Sequence, residues 1–176
     1  NQAVEQIKRN PNWIYQNVLV VAGEGWHDGV VGIVASRLVE KYGKPTLVIN
    51  VDGEEAKGSG RSIDGFNLYD ALSHCGDCLT HFGGHTLAAG IGLKTENIGD
   101  FRKAINRYAD GIEMPYPIQN IDFKLNPAYV NVEMLNAIEQ LEPFGAGNPQ
   151  PIFGLYNMTI TDIQPIGNGK HLRVIL

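Results

Sequence analysis

The sequence predicts an α/β fold, with a mixed and mainly parallel sheet flanked by helices and followed by a β-rich segment. Two buried-strand patterns, NVLVVA (17–22) and TLVIN (46–50), enclose a helical pattern at 30–43. A strand–helix–strand order is a βαβ unit, so the two strands are expected to be parallel neighbours. Beyond residue 113 the chain changes to short strand patterns around one helix.

The helix at 30–43 has apolar residues at i, i+3, i+4 and i+7 spacing. Gly43 is expected to cap its C-terminus, and Pro45 blocks continuation. The other elements expected in this part of the chain are the end of a helix at 2–9, an extended segment at 57–63, a helix at 67–75, a strand at 88–94 and a helix at 97–110.

The segment GIEMPYPIQ (111–119) contains two prolines and is the best domain boundary in the chain. We therefore divide the sequence into a connecting helix end, a main domain, and a linker with a helix and strands. These parts span 1–14, 15–112 and 113–176. The strand and helix patterns of the last part lie at 121–125, 132–141, 152–163 and 171–176. The sequence lacks an initiator Met and stops inside a strand-like run, so we expect a fragment.

The composition is that of an ordinary globular protein and limits the possible functions. The net charge of -5 argues against gripping nucleic acid by bulk electrostatics, but it allows a local phosphate site built from Arg side chains and backbone amides. Two cysteines provide no disulfide framework, which favours a cytoplasmic location. The sequence has no secretory signal and no apolar run of roughly 18 residues, so we expect no membrane partner.

The motif GEGWHDG lies between the first strand and its helix, where free backbone N–H groups favour an anion. It does not match the G-x-G-x-x-G fingerprint of dinucleotide-binding folds. Trp26 and His27 are possible supporting residues of a site here. The alternative is a tight turn in which Trp26 anchors the core.

The motif GSGRS has the components of a phosphate clamp. Arg61 offers a planar fork of donors, and Ser59 and Ser62 offer hydroxyl groups. Gly58 and Gly60 are expected to let a ligand approach the backbone. The alternative is a hairpin strand whose Arg forms a surface ion pair.

The motif HFGGH is the third candidate. Gly83 and Gly84 could adopt positive φ and form an anion-binding nest of consecutive amides. His85 could donate a hydrogen bond to the same anion, with His81 in support. A plain loop with a core histidine is the alternative.

A zinc site is a rival interpretation of this region. Cys75, Cys78, His81 and His85 are four possible ligands within eleven positions. However, the first three lie three residues apart on what is expected to be a helix, which turns them away from a common face. The thiols are better explained as small core residues, and we expect no metal in this chain. No nucleophile elbow or two-metal carboxylate cluster is visible, so catalytic residues are not expected here either.

Four segments together resemble a known family in order and spacing. They are VVAGEGWHDGVVGIVASRLVEKYGKPTLVI (20–49), GSGRS (58–62), HFGGHTLAAG (81–90) and LEPFGAGNPQPIF (141–153). The first three resemble the DHH-associated domain of bacterial RecJ single-stranded-DNA exonucleases, and the fourth resembles the entry to the OB-fold region that follows it. The resemblance covers about residues 15–176, with Asp28 where the family often has proline.

This resemblance implies a part of a 5′-to-3′ exonuclease that acts in recombination and repair. Its implied partners are single-stranded DNA and an N-terminal DHH domain, which holds two manganese or magnesium ions and lies outside this sequence. The implied phosphate-contacting residues are Ser59, Arg61 and Ser62, together with Gly83, Gly84 and His85. The alternatives are a phosphodiesterase of the same superfamily acting on oligonucleotides or cyclic dinucleotides, and a zinc-stabilised interaction module.

Overall fold

The computed structural model describes residues 2–115, 118–169 and 171–176. The chain divides into two compact units, Asn1–Pro117 and Ile118–Leu176. Each unit is described by itself.

The first unit contains a five-stranded sheet with the order β1-β2-β3-β5-β4. Its strands are β1 (Leu19–Glu24), β2 (Thr46–Asp52), β3 (Glu55–Arg61), β4 (His81–His85) and β5 (Ala88–Lys94). The mixed α/β class is confirmed, and β1 and β2 are parallel as expected.

The share of parallel strands is smaller than the sequence suggested, because the other three pairings are antiparallel. For the β2–β3 and β4–β5 pairings the reason is the length of the connection. Gly53 and Glu54 alone join β2 to β3, and Thr86 and Leu87 alone join β4 to β5. Two-residue connections form hairpins, whereas parallel neighbours need a long crossover.

Helices cover both faces of this sheet. They are α1 (Gln2–Arg9), α2 (Asp28–Tyr42), α3 (Leu68–His74) and α4 (Ile98–Asp110). Helix α2 ends as expected, since Gly43 has a left-handed φ of 63° and its N–H donates to the Val39 carbonyl at 2.8 Å. Among the described residues, no helix is both long and apolar enough to span a membrane.

Two hydrophobic cores lie on opposite faces of the sheet. Helices α1 and α2 pack over β1 and β2, where Ile7, Leu38 and Val48 are buried. Helices α3 and α4 pack on the other face, with Phe66 and Phe101 at the centre of a core that also includes residues of β5. The α1–α2 layer contributes no core residue from β4 or β5, so these strands keep one exposed face.

The Gly-Gly-His segment, expected as a loop, is instead the strand β4 at the edge of the sheet. Gly84 pairs with Ala89 and has a φ of +148°. A Cβ at Gly84 would overlap the Ala88 carbonyl oxygen and the Ala89 backbone. A Cβ at Gly83 would meet no atom within 4 Å. Close approach of β5 therefore requires glycine at position 84 and leaves position 83 free.

The second unit is small and almost without a core. Its elements are β6 (Phe123–Lys124), α5 (Val132–Glu139), β7 (Phe153–Gly154), β8 (Asp162–Ile166) and β9 (His171–Ile175). Strand β6 pairs with β7, and β8 forms a hairpin with β9. The single strand pattern expected at 152–163 is divided between β7 and β8, and Asn157 in the gap has a left-handed φ of 57°. Among the described residues of this unit, only Gly154 is buried.

The two adjacent glycines of β4 provide a matched stability test. We expect Gly84→Ala to lower the free energy of unfolding by about 2–4 kcal/mol, because it combines backbone strain with a clash against β5. Gly83→Ala should change it by no more than about 0.5 kcal/mol, as an exposed substitution without a clash. Urea denaturation of both variants measures the difference, and equal losses would contradict this account of β4.

Candidate nucleic-acid interface

Three rows of residues cross β3, β5 and β4 in register. The rows are Arg61–Ala88–His85, Ser59–Gly90–Gly83 and Lys57–Gly92–His81. Side chains alternate along a strand, so these nine residues share one face of the sheet. We call this surface the open face, since the buried Ala56, Ala89 and Ile91 belong to the core on the opposite side. The GSGRS and HFGGH motifs therefore lie on one face, roughly 10 Å apart across two strand spacings.

Arg61 is held at one end of the open face. Its Nη1 donates to Ser59 Oγ at 3.0 Å and to the Gly60 carbonyl at 2.8 Å. The guanidinium also lies against α2, where a Cβ at Gly32 would come within 3.0 Å of Nη2. Among the described residues no carboxylate is within 4.0 Å of Arg61, so the surface ion pair considered from the sequence does not form. The two hydrogen bonds fix the position of the guanidinium group, and no carboxylate among the described residues neutralises its charge.

The two serines of the motif have different roles in the structure. Ser59 Oγ accepts a hydrogen bond from Arg61, which leaves its own O–H available to donate. The Ser62 hydroxyl donates to the Phe66 carbonyl at 2.8 Å, and the Ser62 N–H donates to the Leu87 carbonyl at 2.9 Å. Ser62 therefore uses its donors to hold the turn that follows β3.

The expectation that Gly58 and Gly60 make room for a ligand is wrong. A Cβ at Gly58 would lie 3.0 Å from Ile49 Cγ1, and one at Gly60 would lie 2.8 Å from Leu68 Cδ2. Both positions face the hydrophobic core. These glycines allow close packing under β3, while Ser59 between them and Lys57 and Arg61 on either side lie on the open face.

The nest of consecutive amides expected at Gly83 and Gly84 is also absent. A nest alternates helical and left-handed residues, whereas both glycines lie in a paired strand and only Gly84 has a positive φ. The exposed Gly83 lies on the open face instead. Because glycine has no side chain, the surface has a shallow depression at this position.

His85 and His81 lie along the outer edge of the open face, and both are exposed. The Nδ1 atom of His85 accepts a hydrogen bond from the Leu87 N–H at 3.3 Å. The neutral ring therefore carries its proton on Nε2, from which it can donate to an anion. The His81 ring covers Gly92, where a Cβ would overlap it, and its Nδ1 lies 3.2 Å from Thr80 Oγ1.

Trp26 and His27 of the GEGWHDG motif stabilise helices, whereas Asp28 lines a groove together with Lys57. The motif follows the end of β1, whereas Arg61 pairs with Thr46 at the beginning of β2. The Trp26 indole N–H donates to the side chain of Gln2, and its ring packs over Gly23, so Trp26 is an anchor for α1. His27 caps α2, since its Nδ1 accepts from the Gly29 N–H at 3.0 Å. The anion site expected at this helix terminus is thus closed by its own cap.

The proposed zinc ligands are not arranged as a metal site. Helix α3 ends at His74 and a 3-10 turn at Gly76–Cys78 leads into β4, so the continuous helix expected here is wrong. Among the described residues, no three His, Cys, Asp or Glu side chains come together to hold a metal. Burial, with a smaller contribution from Cys78, raises the pKa of the Cys75 thiol to about 11.

Lys57 and Gly90 of this surface, and Gly32 of α2 beside Arg61, are not predicted from the sequence. The alternation in KGSGR was the available signal, because a strand through these residues places Lys57, Ser59 and Arg61 on one face. Alternation along AAGIGLK likewise places Gly90 on the opposite face of its strand from Ala89 and Ile91. Gly32 lies on a different element, and nothing local indicated its contact with Arg61.

The fold and this surface define an α/β domain with an open, basic sheet face. Residues 10–111 match the DHHA1 domain and residues 121–176 match the RecJ OB domain. The chain belongs to the DHHA1 domain family, and it combines this domain with a RecJ OB domain, as the resemblance implied.

The chain is similar to named exonucleases over most or all of its length. It is 40% identical over 182 aligned residues to the single-stranded-DNA-specific exonuclease RecJ of Bacillus subtilis (strain 168), covering 100% of this chain and 23% of that protein. It is 31% identical to the protein of the same name from Escherichia coli (strain K12), covering 86% of this chain and 27% of that protein. The chain thus spans about a quarter of the length of these relatives.

The structure is similar to the crystal structures of RecJ from Thermus thermophilus. The TM-score is 0.75 to the complex with Mg²⁺, with 27% identity over 99% of this chain and 28% of that one. It is 0.76 to the complex with Mn²⁺, at 27% identity over 99% of this chain and 27% of that one.

The thiols provide a test that separates core cysteines from metal ligands. A pKa raised to about 11 keeps Cys75 protonated at neutral pH, and only the thiolate reacts with iodoacetamide. We expect native Cys75 to resist alkylation at pH 8 and to react faster as the pH rises toward 11. The partly exposed Cys78 should react first. Mass spectrometry of the labelled protein measures both rates.

The urea-unfolded chain is the control, in which both thiols should react alike near their ordinary pKa of about 8.5. Equal labelling of Cys75 in native and unfolded protein at pH 8 would contradict its burial.

Proposed function

We propose that this chain is the DNA-end-binding part of a 5′-to-3′ single-stranded-DNA exonuclease that acts in recombination and repair. The observation that carries the proposal is the placement of Arg61, Ser59 and His85 on one open face by the register of three strands. These residues provide donors for a phosphate, and the exposed Gly83 and Gly90 leave room for a nucleic-acid backbone between them.

The electrostatics of the open face support a phosphate as its ligand. Arg61 is a permanent cation without a carboxylate partner among the described residues, and a guanidinium matches the geometry of phosphate oxygens. The whole chain carries a net charge of -5, so it does not attract DNA at every point of its surface. DNA then binds where positive side chains are clustered.

Hydrolysis is assigned to the N-terminal DHH domain of the full-length enzyme, which is the proposed partner of this chain. The Thermus thermophilus relatives were crystallised with Mg²⁺ or Mn²⁺, which supports a divalent metal in the full enzyme. The residues described here do not fit such a group, since no three potential ligands come together. We therefore propose that this chain is inactive alone.

The domain assignment completes the proposal. We assign residues 15–112 to DNA-end binding and residues 113–176 to a partial OB region, and the family matches at 10–111 and 121–176 support this division. An OB domain binds extended strands, which favours long single-stranded substrates over cyclic dinucleotides. Two free thiols support a cytoplasmic location.

Binding of a 5′-phosphorylated single-stranded oligonucleotide tests the proposal. We expect Arg61→Ala and His85→Ala each to weaken binding by about 1–3 kcal/mol, the usual cost of losing a charge-assisted hydrogen bond. Fluorescence anisotropy at low and moderate salt measures the dissociation constants.

Arg107→Ala is the matched control, because it removes an exposed arginine from α4 on the opposite face of the sheet. An oligonucleotide with a 5′-hydroxyl tests recognition of the terminal phosphate. If wild type binds but Arg61→Ala has no more effect than Arg107→Ala, the open face is not the binding site.

A further inference from the structure

A second charged row on the open face is not used by the proposed function. Lys57 on β3 and His81 on β4 both pair in register with Gly92 of β5. Both side chains are exposed. They lie four residues along their strands from Arg61 and His85, at the other end of the same face.

The structure explains the position of the His81 ring but not the charge of Lys57. Among the described residues, no carboxylate is within ion-pair distance of the Lys57 ammonium group. The His81 ring lies over Gly92, in the space that a side chain on β5 would occupy. The strand pairing thus brings an uncommitted cation and an imidazole into one row.

The two charged rows are too far apart to hold the same phosphate. Four residues along a strand correspond to about 13 Å, whereas neighbouring phosphates of one DNA strand are about 3.4 Å apart along a duplex axis. A nucleic-acid strand that contacts Arg61 and also reaches Lys57 must therefore present a different phosphate to each.

We propose that Lys57 and His81 form a second phosphate-binding position for the same single strand whose end is held by Arg61 and His85. This inference rests on the proposed function of the open face. Lys57 contributes a mobile point charge rather than a planar fork, which suits an internal phosphate whose orientation varies with sequence. The open face then holds two separated phosphates across the low surface at Gly83 and Gly90.

The surface beyond Lys57 limits the path of the strand. A groove at this end of β2 and β3 is lined by Asp28, Asn50, Asp52, Glu54, Glu55 and Lys57. Carboxylates repel the phosphate backbone, so the nucleic-acid strand does not continue past Lys57 toward Glu55. The nucleic acid leaves the open face on the side of His81, at the exposed edge strand β4.

The test measures how tightly the whole chain binds two single-stranded substrates of different length. We expect Lys57→Ala to weaken binding of a 5′-phosphorylated strand of about twelve nucleotides by about three- to tenfold. The slope of log K against log salt should become less steep by about 0.7, the value for one lost phosphate contact on a single strand. Binding of a 5′-phosphorylated dinucleotide, followed by NMR titration, should stay unchanged because its phosphates do not reach Lys57.

Arg61→Ala should weaken binding of both substrates, which separates the two positions. Lys57→Arg should restore the salt slope, and His81→Gln should weaken only the long strand. Lys103→Ala removes the same charge from α4 on the opposite face and is the matched control. An unchanged slope in Lys57→Ala, with Arg61→Ala still impaired, overturns this inference and leaves the proposed function intact. No binding by wild type overturns both.

Discussion

The register of β3, β5 and β4 is the constraint on which the candidate site depends. Two-residue hairpins and the pairing of Arg61 with Ala88 and of Ala88 with His85 bring motifs from distant parts of the chain to one surface. A shift of one residue between neighbouring strands would turn every side chain of one strand to the other face. Arg61 would then face the apolar core, where an unpaired cation is costly.

Glycine serves two opposite purposes in this sheet. Gly58 and Gly60 face the hydrophobic core and allow Ile49 and Leu68 to pack against the β3 backbone. Gly83 and Gly90 face outward, where no atom occupies the space of a side chain. Glycine-rich motifs are commonly interpreted as ligand cradles, but strand alternation decides which of their glycines can meet a ligand. Here the donors are on Lys57, Ser59 and Arg61, which alternate with the two core glycines.

The charges of the chain are distributed in a way that favours local recognition. The groove at the end of β3 near Glu55 is acidic, while Lys57 and Arg61 on the open face have no carboxylate partner among the described residues. This arrangement would favour an anion on the open face over one in the acidic groove. The second unit buries only Gly154 among its described residues, so it has almost no hydrophobic core of its own.

The sequence by itself determined the α/β class, the βαβ unit, the cap at Gly43 and the family, because hydrophobic periodicity and ordered motifs are local signals. Strand β5 was predicted with its observed bounds for the same reason. Only the tertiary structure decided that β3, β4 and β5 pair antiparallel, that Gly84 lies in a strand, and that Trp26 anchors α1. These features depend on contacts between residues distant in the chain, such as Gly32 with Arg61, and no local pattern encodes such contacts.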